Sequence, residues 1–340
     1  MKIFLNLKFT FFLYLIFLIC YLSFNHFKTL LEPVQKRADY QIVKIKKGTS
    51  FKEIAQLLEE KGLIKSKEAF FVLAWYKDVI HQIKAGEYKL TPAMSSEEIL
   101  ETLVKGQVIQ HLITIPEGFN IFQIADLFQK ANLLKKDAFL KTVTDKDLLK
   151  QLNIKNEFSA EGYLFPDSYF FSKDVDSKQV VKHLVTHFWR IWQENNFDKR
   201  TKELGISVHD VVTLASIVEL EAAVEDEKPI IASVFWNRLK KGMPLQADPT
   251  VKYGILVEKR IKKRRLTWRD LRKPTPYNTY TSYGLPKGPI CNPGLTSLKA
   301  VLYPKKTDYL YFVSKGNRRH YFSRTLKEHN RAVRKYILKK

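Results

Sequence analysis

Sixteen consecutive residues near the N-terminus carry no charge: Phe9 to Phe24 reads FTFFLYLIFLICYLSF. With its flanks, this run approaches the ~20 apolar residues that a helix needs to cross a bilayer. A cleaved leader would end in a small-residue A-x-A site. The bulky YLSFNHF that closes this run offers none, and Cys20 after FLI makes a poor lipoprotein box. The run is therefore expected to stay as a single-span anchor over residues 1–28. Lys2 and Lys8 favour a cytoplasmic N-terminus, against Lys28, Lys36 and Arg37 on the far side.

Beyond the anchor, a chain of 340 residues is long enough for more than one core. The net charge of +23 points to an anionic partner, or to solvated basic faces spread along the whole chain. The two cysteines, Cys20 and Cys291, exclude a disulfide-stapled scaffold.

A short polar linker, 29–40, leads to an internal repeat. VKIKKGTSFKEIAQLLEEKGLIKSKEAF begins at Val43, and ITIPEGFNIFQIADLFQKANLLKKDAF begins at Ile113. In this alignment Ile45 meets Ile115, Gly48 meets Gly118, and Ile54-Ala55 meets Ile124-Ala125. Leu57 meets Leu127, Leu63 meets Leu133 and Lys65 meets Lys135. Each copy reads as a short strand, a glycine turn and an amphipathic helix. Two copies are too few for a solenoid, so residues 41–157 are expected to form a compact α+β module.

The texture changes at about residue 158, where EGYLFPDSYFF is rich in aromatics. A helix is expected from Ser177 to Asn195. A hairpin follows near the end (Tyr309–Val313 with His320–Phe322), then a helix opened by Thr325 and Glu328 as a capping box.

Between these lies LASIVELEAA, 214–223, where Glu219 and Glu221 interrupt an apolar run. Ser207 and Asp210 cap the helix that carries it. A buried carboxylate is costly unless paired or neutralised. At ~100° per residue the two acids stand about 200° apart, so they serve different faces. Glu219 lies over Val212, Ala215 and Ser216, small neighbours that leave room for a ligand and few partners for a charge. Desolvation there would keep a proton on it, making it a general acid. The structural alternative ties it to a backbone turn or to Arg238. A second helix, Pro229 to Lys241, follows. Then come MPLQADPTVKYG, read as a turn, and the long loop PTPYNTYTSYGLPKGPICNPG, 274–294. Loops of that length in compact domains are usually functional. Amides interleaved with aromatic rings suit a sugar polymer or a single-stranded nucleic acid.

EGYLFPDSY, LASIVELEAA, ASVFWNRLKKGMPLQADPTVKYG, PTPYNTY, GLPKGPICNPG and YLYFV together resemble, in order, the motif series of the YceG-like endolytic murein transglycosylases. The resemblance spans nearly the whole chain. It implies an α+β protein with an N-terminal transmembrane helix, a LysM-like α+β region over 41–157 and a mixed α/β catalytic domain over 158–340. It implies cleavage of the MurNAc-β-1,4-GlcNAc bond inside nascent peptidoglycan strands, leaving 1,6-anhydro-MurNAc ends, by a single carboxylic acid and no cofactor. The family's catalytic Glu falls on the first acid of IVELE, Glu219. Leu220 replaces the usual Lys between the acids, and PDSY the usual PDTY. Asn237, Arg238, Gln246, Asp248, Tyr253, Asn278 and Tyr280 are the candidates for sugar hydroxyls and N-acetyl groups, each equally able to hold a loop. For Asp248 an Asx turn before Pro249 is expected. The implied setting is the cell inner membrane, N-terminus in the cytoplasm and catalytic domain outside it. The partners are glycan strands, the bilayer and peptidoglycan synthases.

A hydrolase would need a second carboxylate, for which Glu161, Glu221 and Asp248 are available. A non-catalytic peptidoglycan-binding scaffold is the other alternative. His183 and His187 stand one turn apart, but HLVTH lacks the Glu of H-E-x-x-H, so no metal site is expected. The segment from Lys259 to Lys273 holds nine cations. It is read as a solvated surface, because an outward-facing domain meets no nucleic acid.

Overall fold

The computed structural model describes residues 2–338 apart from 157 and 174, with side chains from Thr10 onward. It is a mixed helix-and-sheet structure. The chain divides into two units: Met1–His111 with Phe170–Asp174, and Leu112–Tyr169 with Val175–Lys340.

In the first unit, helix α1 (Lys2–Leu31) precedes β1 (Gln41–Ile45), α2 (Phe51–Glu60), α3 (Lys67–Tyr76), β2 (Gly86–Leu90) and α4 (Ser96–Lys105). From Thr10 to Leu31, α1 offers 22 residues that include an 18-residue window of mean hydropathy 1.7, long and apolar enough to cross a membrane. β1 and β2 pair antiparallel, with Val43 opposite Tyr88. Both side chains are buried in a core with Leu58, Phe70 and Leu103. α2 forms where expected. Ser50 and Glu53 close a capping box, and Ile54, Ala55 and Leu58 turn one stripe into that core.

The second unit takes up the other copy of the repeat. β3 (His111–Thr114) leads to α5 (Ile121–Lys130), which is capped by Asn120 and Gln123 and buries Ile124, Ala125 and Phe128. These are the equivalents of the α2 positions. Then follow α6 (Lys136–Thr142), α7 (Lys146–Gln151), β4 (Ser168–Phe171), α8 (Ser177–Glu194) and α9 (Phe197–Leu204). The next elements are α10 (Val208–Glu221), α11 (Lys228–Lys240), α12 (Asp248–Lys259), α13 (Trp268–Arg272) and α14 (Leu295–Leu302). The hairpin β5 (Tyr311–Ser314) and β6 (His320–Ser323) and helix α15 (Leu326–Val333) end the unit.

α10 is the axis of this unit. Every residue from Val211 to Val218 is buried, and the helix packs against α11, α12 and α14. The Ser207–Asp210 box that starts it and the Thr325–Glu328 box that starts α15 both form as expected. Gly162 shows how closely the chain packs there. Its φ is +89°, and a Cβ would lie 2.6 Å from Pro289 and from Val212, so only glycine fits.

Two local expectations differ. MPLQADPTVKYG is a turn only as far as Ala247; α12 starts at Asp248. Pro249 in the first helical turn needs no N–H partner and has φ preset for a helix. The basic 259–273 segment folds in part into α13, capped by Thr267 and Asp270, whose carboxylate also accepts from Lys263 at 2.5–2.6 Å. Trp268 remains exposed.

Candidate functional site

The last turn of α10 presents its two acids to opposite surroundings. Glu219 is fastened. Its carboxylate accepts from Lys228 Nζ at 3.1 and 3.2 Å, from Ser297 Oγ at 2.6 Å and from the Gly294 N–H at 3.0 Å. The two side chains of the ion pair are 8 % and 5 % exposed. Lys228 also donates to Thr296 Oγ1 at 2.7 Å and lies 3.5 Å from Glu117 Oε2. Burial and the charge of Glu219 raise the Glu117 carboxyl above its ordinary range. The expected environment of Glu219, roomy and poor in partners, is therefore not the one it has. Nor is Arg238 its partner. α11 begins at Lys228, one residue earlier than expected, and brings that ammonium under the α10 end.

Glu221 has the surroundings expected for Glu219. It lines a cavity of about 310 Å³ with Arg238, Leu245, Gln246, Asp248, Tyr280, Phe312 and His329. Among the described residues no hydrogen bond ties its carboxyl. Burial first, and then the nearby charge of Asp248, push that carboxyl up to about 7, with Lys252 and Arg238 acting the other way. At neutral pH a group so poised exchanges a proton readily.

Four of the residues anticipated from the sequence meet on this wall. Arg238 donates through Nε to Leu310 O at 2.7 Å, and through Nη1 to Leu245 O at 2.9 Å and Gln246 Oε1 at 3.3 Å. Its guanidinium also lies over the Tyr311 ring. Asp248 accepts from the Tyr280 hydroxyl at 2.7 Å, so its carboxylate is fixed by the 274–294 loop rather than by an Asx turn. Gln246 sits at φ +53°, uncommon for a side-chain-bearing residue, with its N–H bonded to Thr279 O at 3.0 Å. Helix and loop thus position the cavity from two directions.

The other three stand elsewhere. Asn237 donates to Thr307 O and Tyr309 O at 2.7 and 3.0 Å. Asn278 is wholly buried, donates to Leu271 O and Lys273 O, and accepts from Tyr280 N–H at 2.8 Å. Tyr253 donates to Glu161 Oε2 at 2.8 Å. Glu161 is itself sealed, 1 % exposed. It accepts from the Ile121 N–H and from Asn292 Nδ2, and burial pushes its carboxyl up to about 8. His187, one of the two histidines on α8, pairs with Asp167 at 2.8 Å.

Sequence reasoning passed over Lys228, Glu117, Asn292, Phe312 and His329. Asn292 holds four groups: it accepts from the Gly162 and Leu164 N–H at 2.9 Å and donates to Phe119 O and Glu161. Its place in GPICNPG was visible, but its partners, 128 to 173 residues away, were not. His329 is brought to the cavity by α15, whose periodicity marks only a capped surface helix.

The site is thus a helix-borne acid in a polar cavity, backed by a long amide-rich loop. The model of the YceG-like family matches residues 43–335, and the chain belongs to that family. It is 37 % identical to the endolytic murein transglycosylase of Bacillus subtilis (strain 168), over 94 % of this chain and 91 % of that protein. It is 29 % identical to the endolytic murein transglycosylase of Streptococcus pneumoniae (strain D39), over 93 % of this chain but 62 % of that longer protein. The crystal structure of a yceG-like protein from Listeria monocytogenes is 36 % identical, with a TM-score of 0.59, covering 87 % of this chain and all of that one.

Proposed function

We propose that this chain is a membrane-anchored peptidoglycan lytic transglycosylase whose proton donor is Glu221. The observation that carries the assignment is the contrast within one helical turn. Glu219 has three donors, one of them a buried counter-ion, whereas Glu221 stands in a polar cavity with no hydrogen bond to its carboxyl among the described residues and that carboxyl raised to about 7.

The chemistry needs one acid. Glu221 gives its proton to the glycosidic oxygen between MurNAc and GlcNAc, and the C1–O bond breaks. The C6 hydroxyl of the same muramoyl residue attacks C1, and its proton passes to the Glu221 carboxylate. The products are a free 4-hydroxyl on one strand and a 1,6-anhydro-MurNAc end on the other. No water is consumed, and the acid is restored. Arg238, Gln246 and Tyr280 line the same cavity and orient the sugar. α1 anchors the chain, with the N-terminus in the cytoplasm and the catalytic region, 158–340, acting on strands outside the membrane, and residues 41–157 are the LysM-like region.

Asp248 on the same wall favours one second reading, a muramidase in which that carboxylate activates water. Mass spectrometry of digested murein decides between them. Anhydro ends support the transglycosylase; reducing ends support the hydrolase. Loss of both with Glu221→Gln is expected in either case, and full activity in that variant would overturn the assignment of the acid.

A further inference from the structure

A second hollow lies in the same unit as the Glu221 cavity. It encloses about 800 Å³, within the range of ligand sites, and belongs wholly to the second unit. Leu220 and Pro249 stand on its wall, and each is the chain neighbour of a residue of the catalytic cavity, Glu221 and Asp248 respectively. Lys252 also lines it, close enough for its charge to act on the Glu221 carboxyl. The two hollows are therefore lined by consecutive residues of α10 and of α12.

The lining has two characters. One is apolar: Phe122, Leu220 and Pro249, among others. The other is charged and mostly basic: Lys136, Lys252, Arg260, Lys262 and Lys263 stand against Asp126 and Asp137. Of its basic groups, Lys136 is neutralised by Asp126 at 2.6 Å and Lys263 by Asp270 at 2.5 Å. Lys252, Arg260 and Lys262 have no ion-pair partner among the described residues, and Arg260 is held over the Phe122 ring, 4.6 Å from its centre. An uncharged glycan chain gives such cations nothing to neutralise. The muramoyl residue, however, carries a short peptide on its lactyl group, and that peptide bears carboxylates.

Resting on the proposed transglycosylase reading, we infer that this groove binds the acidic peptide stem of the muramoyl residue being cut, so that the enzyme selects stem-bearing strands over bare glycan. The apolar wall covers the short aliphatic side chains, while Lys252, Arg260 and Lys262 meet the carboxylates. Placing the recognition beside the acid turns binding of a remote part of the substrate into orientation of the scissile bond.

The test compares kcat/KM of the full-length enzyme on uncross-linked strands with stems and on the same strands stripped by an amidase. The wild type is expected to prefer stem-bearing strands by about tenfold or more, the equivalent of one or two well-placed charge contacts. The preference should shrink at high salt. Arg260→Glu with Lys262→Glu should cut the rate on stem-bearing strands by about tenfold and bring the two substrates together, while Arg260→Lys with Lys262→Arg keeps the preference. Unchanged thermal unfolding separates this from misfolding. Equal wild-type rates on both substrates, or equal losses on both in the charge-reversed variant, overturn the inference. Activity of Glu221→Gln on either substrate would instead overturn the site assignment beneath it.

Discussion

Glu219 and Lys228 form an ion pair at 3.1 Å across the junction of α10 and α11, with both side chains less than a tenth exposed. Such a pair adds little net stability compared with an apolar pair, but removing one partner leaves a buried charge uncompensated. Lys228→Met is therefore expected to destabilise the second unit by about 3–5 kcal/mol. The double variant Glu219→Gln with Lys228→Met should recover much of that loss. Urea unfolding of the three proteins checks the pattern.

The same pair separates the roles of the two acids. Glu221→Gln should still unfold cooperatively and be no less stable than the wild type at neutral pH, and lose about 10²–10⁴-fold in the release of anhydro ends, the range expected for a general acid. Glu219→Gln should lose stability first and keep measurable cleavage. A Glu219→Gln protein that unfolds like the wild type yet releases no product would return the proton donor to position 219.

Cleavage should weaken as pH rises through about 7, because Glu221 must carry its proton and burial has raised its carboxyl to that value. Stability should move in the same direction. Glu161 and Glu221 hold protons in the folded chain, up to about 8 and 7, that the unfolded chain has already released. Their favourable contribution is fully present at the acidic end, below the ordinary carboxylate range. It is lost as pH climbs towards 8. Melting temperatures at pH 5, 6, 7 and 8 measure the slope, and Glu161→Gln should flatten it.

Asn292→Ala should be among the most damaging substitutions outside the catalytic cavity. It strips partners from the Gly162 and Leu164 N–H groups, Phe119 O and Glu161 at once. Phe119 O keeps the Asn292 backbone N–H, and Glu161 keeps the Ile121 N–H and the Tyr253 hydroxyl, so two buried N–H groups are orphaned. At about 1–3 kcal/mol each the loss is about 2–6 kcal/mol, a large share of the stability of a typical domain. Recovery of soluble, cooperatively melting protein from Asn292→Ala would show that this node is dispensable.

What could be read along the chain was local. The α2 and α5 helices start at their capping boxes because Ser50 and Asn120 reach backbone N–H groups within three residues. The apolar spacing of Ile54, Ala55 and Leu58, and of Ile124, Ala125 and Phe128, sets which stripe is buried. The 200° rule likewise separated Glu219 from Glu221 onto different faces.

Which face offered a counter-ion and which a cavity was settled only in three dimensions. The groups that fasten Glu219 arrive from Gly294 and Ser297, 75 and 78 residues away. The wall around Glu221 is completed by His329 from the last helix. Helical periodicity carries no information about what a distant segment brings to a surface. A carboxylate's proton affinity depends on those groups and on the water they exclude, so its chemistry becomes definite only once the chain has closed around it.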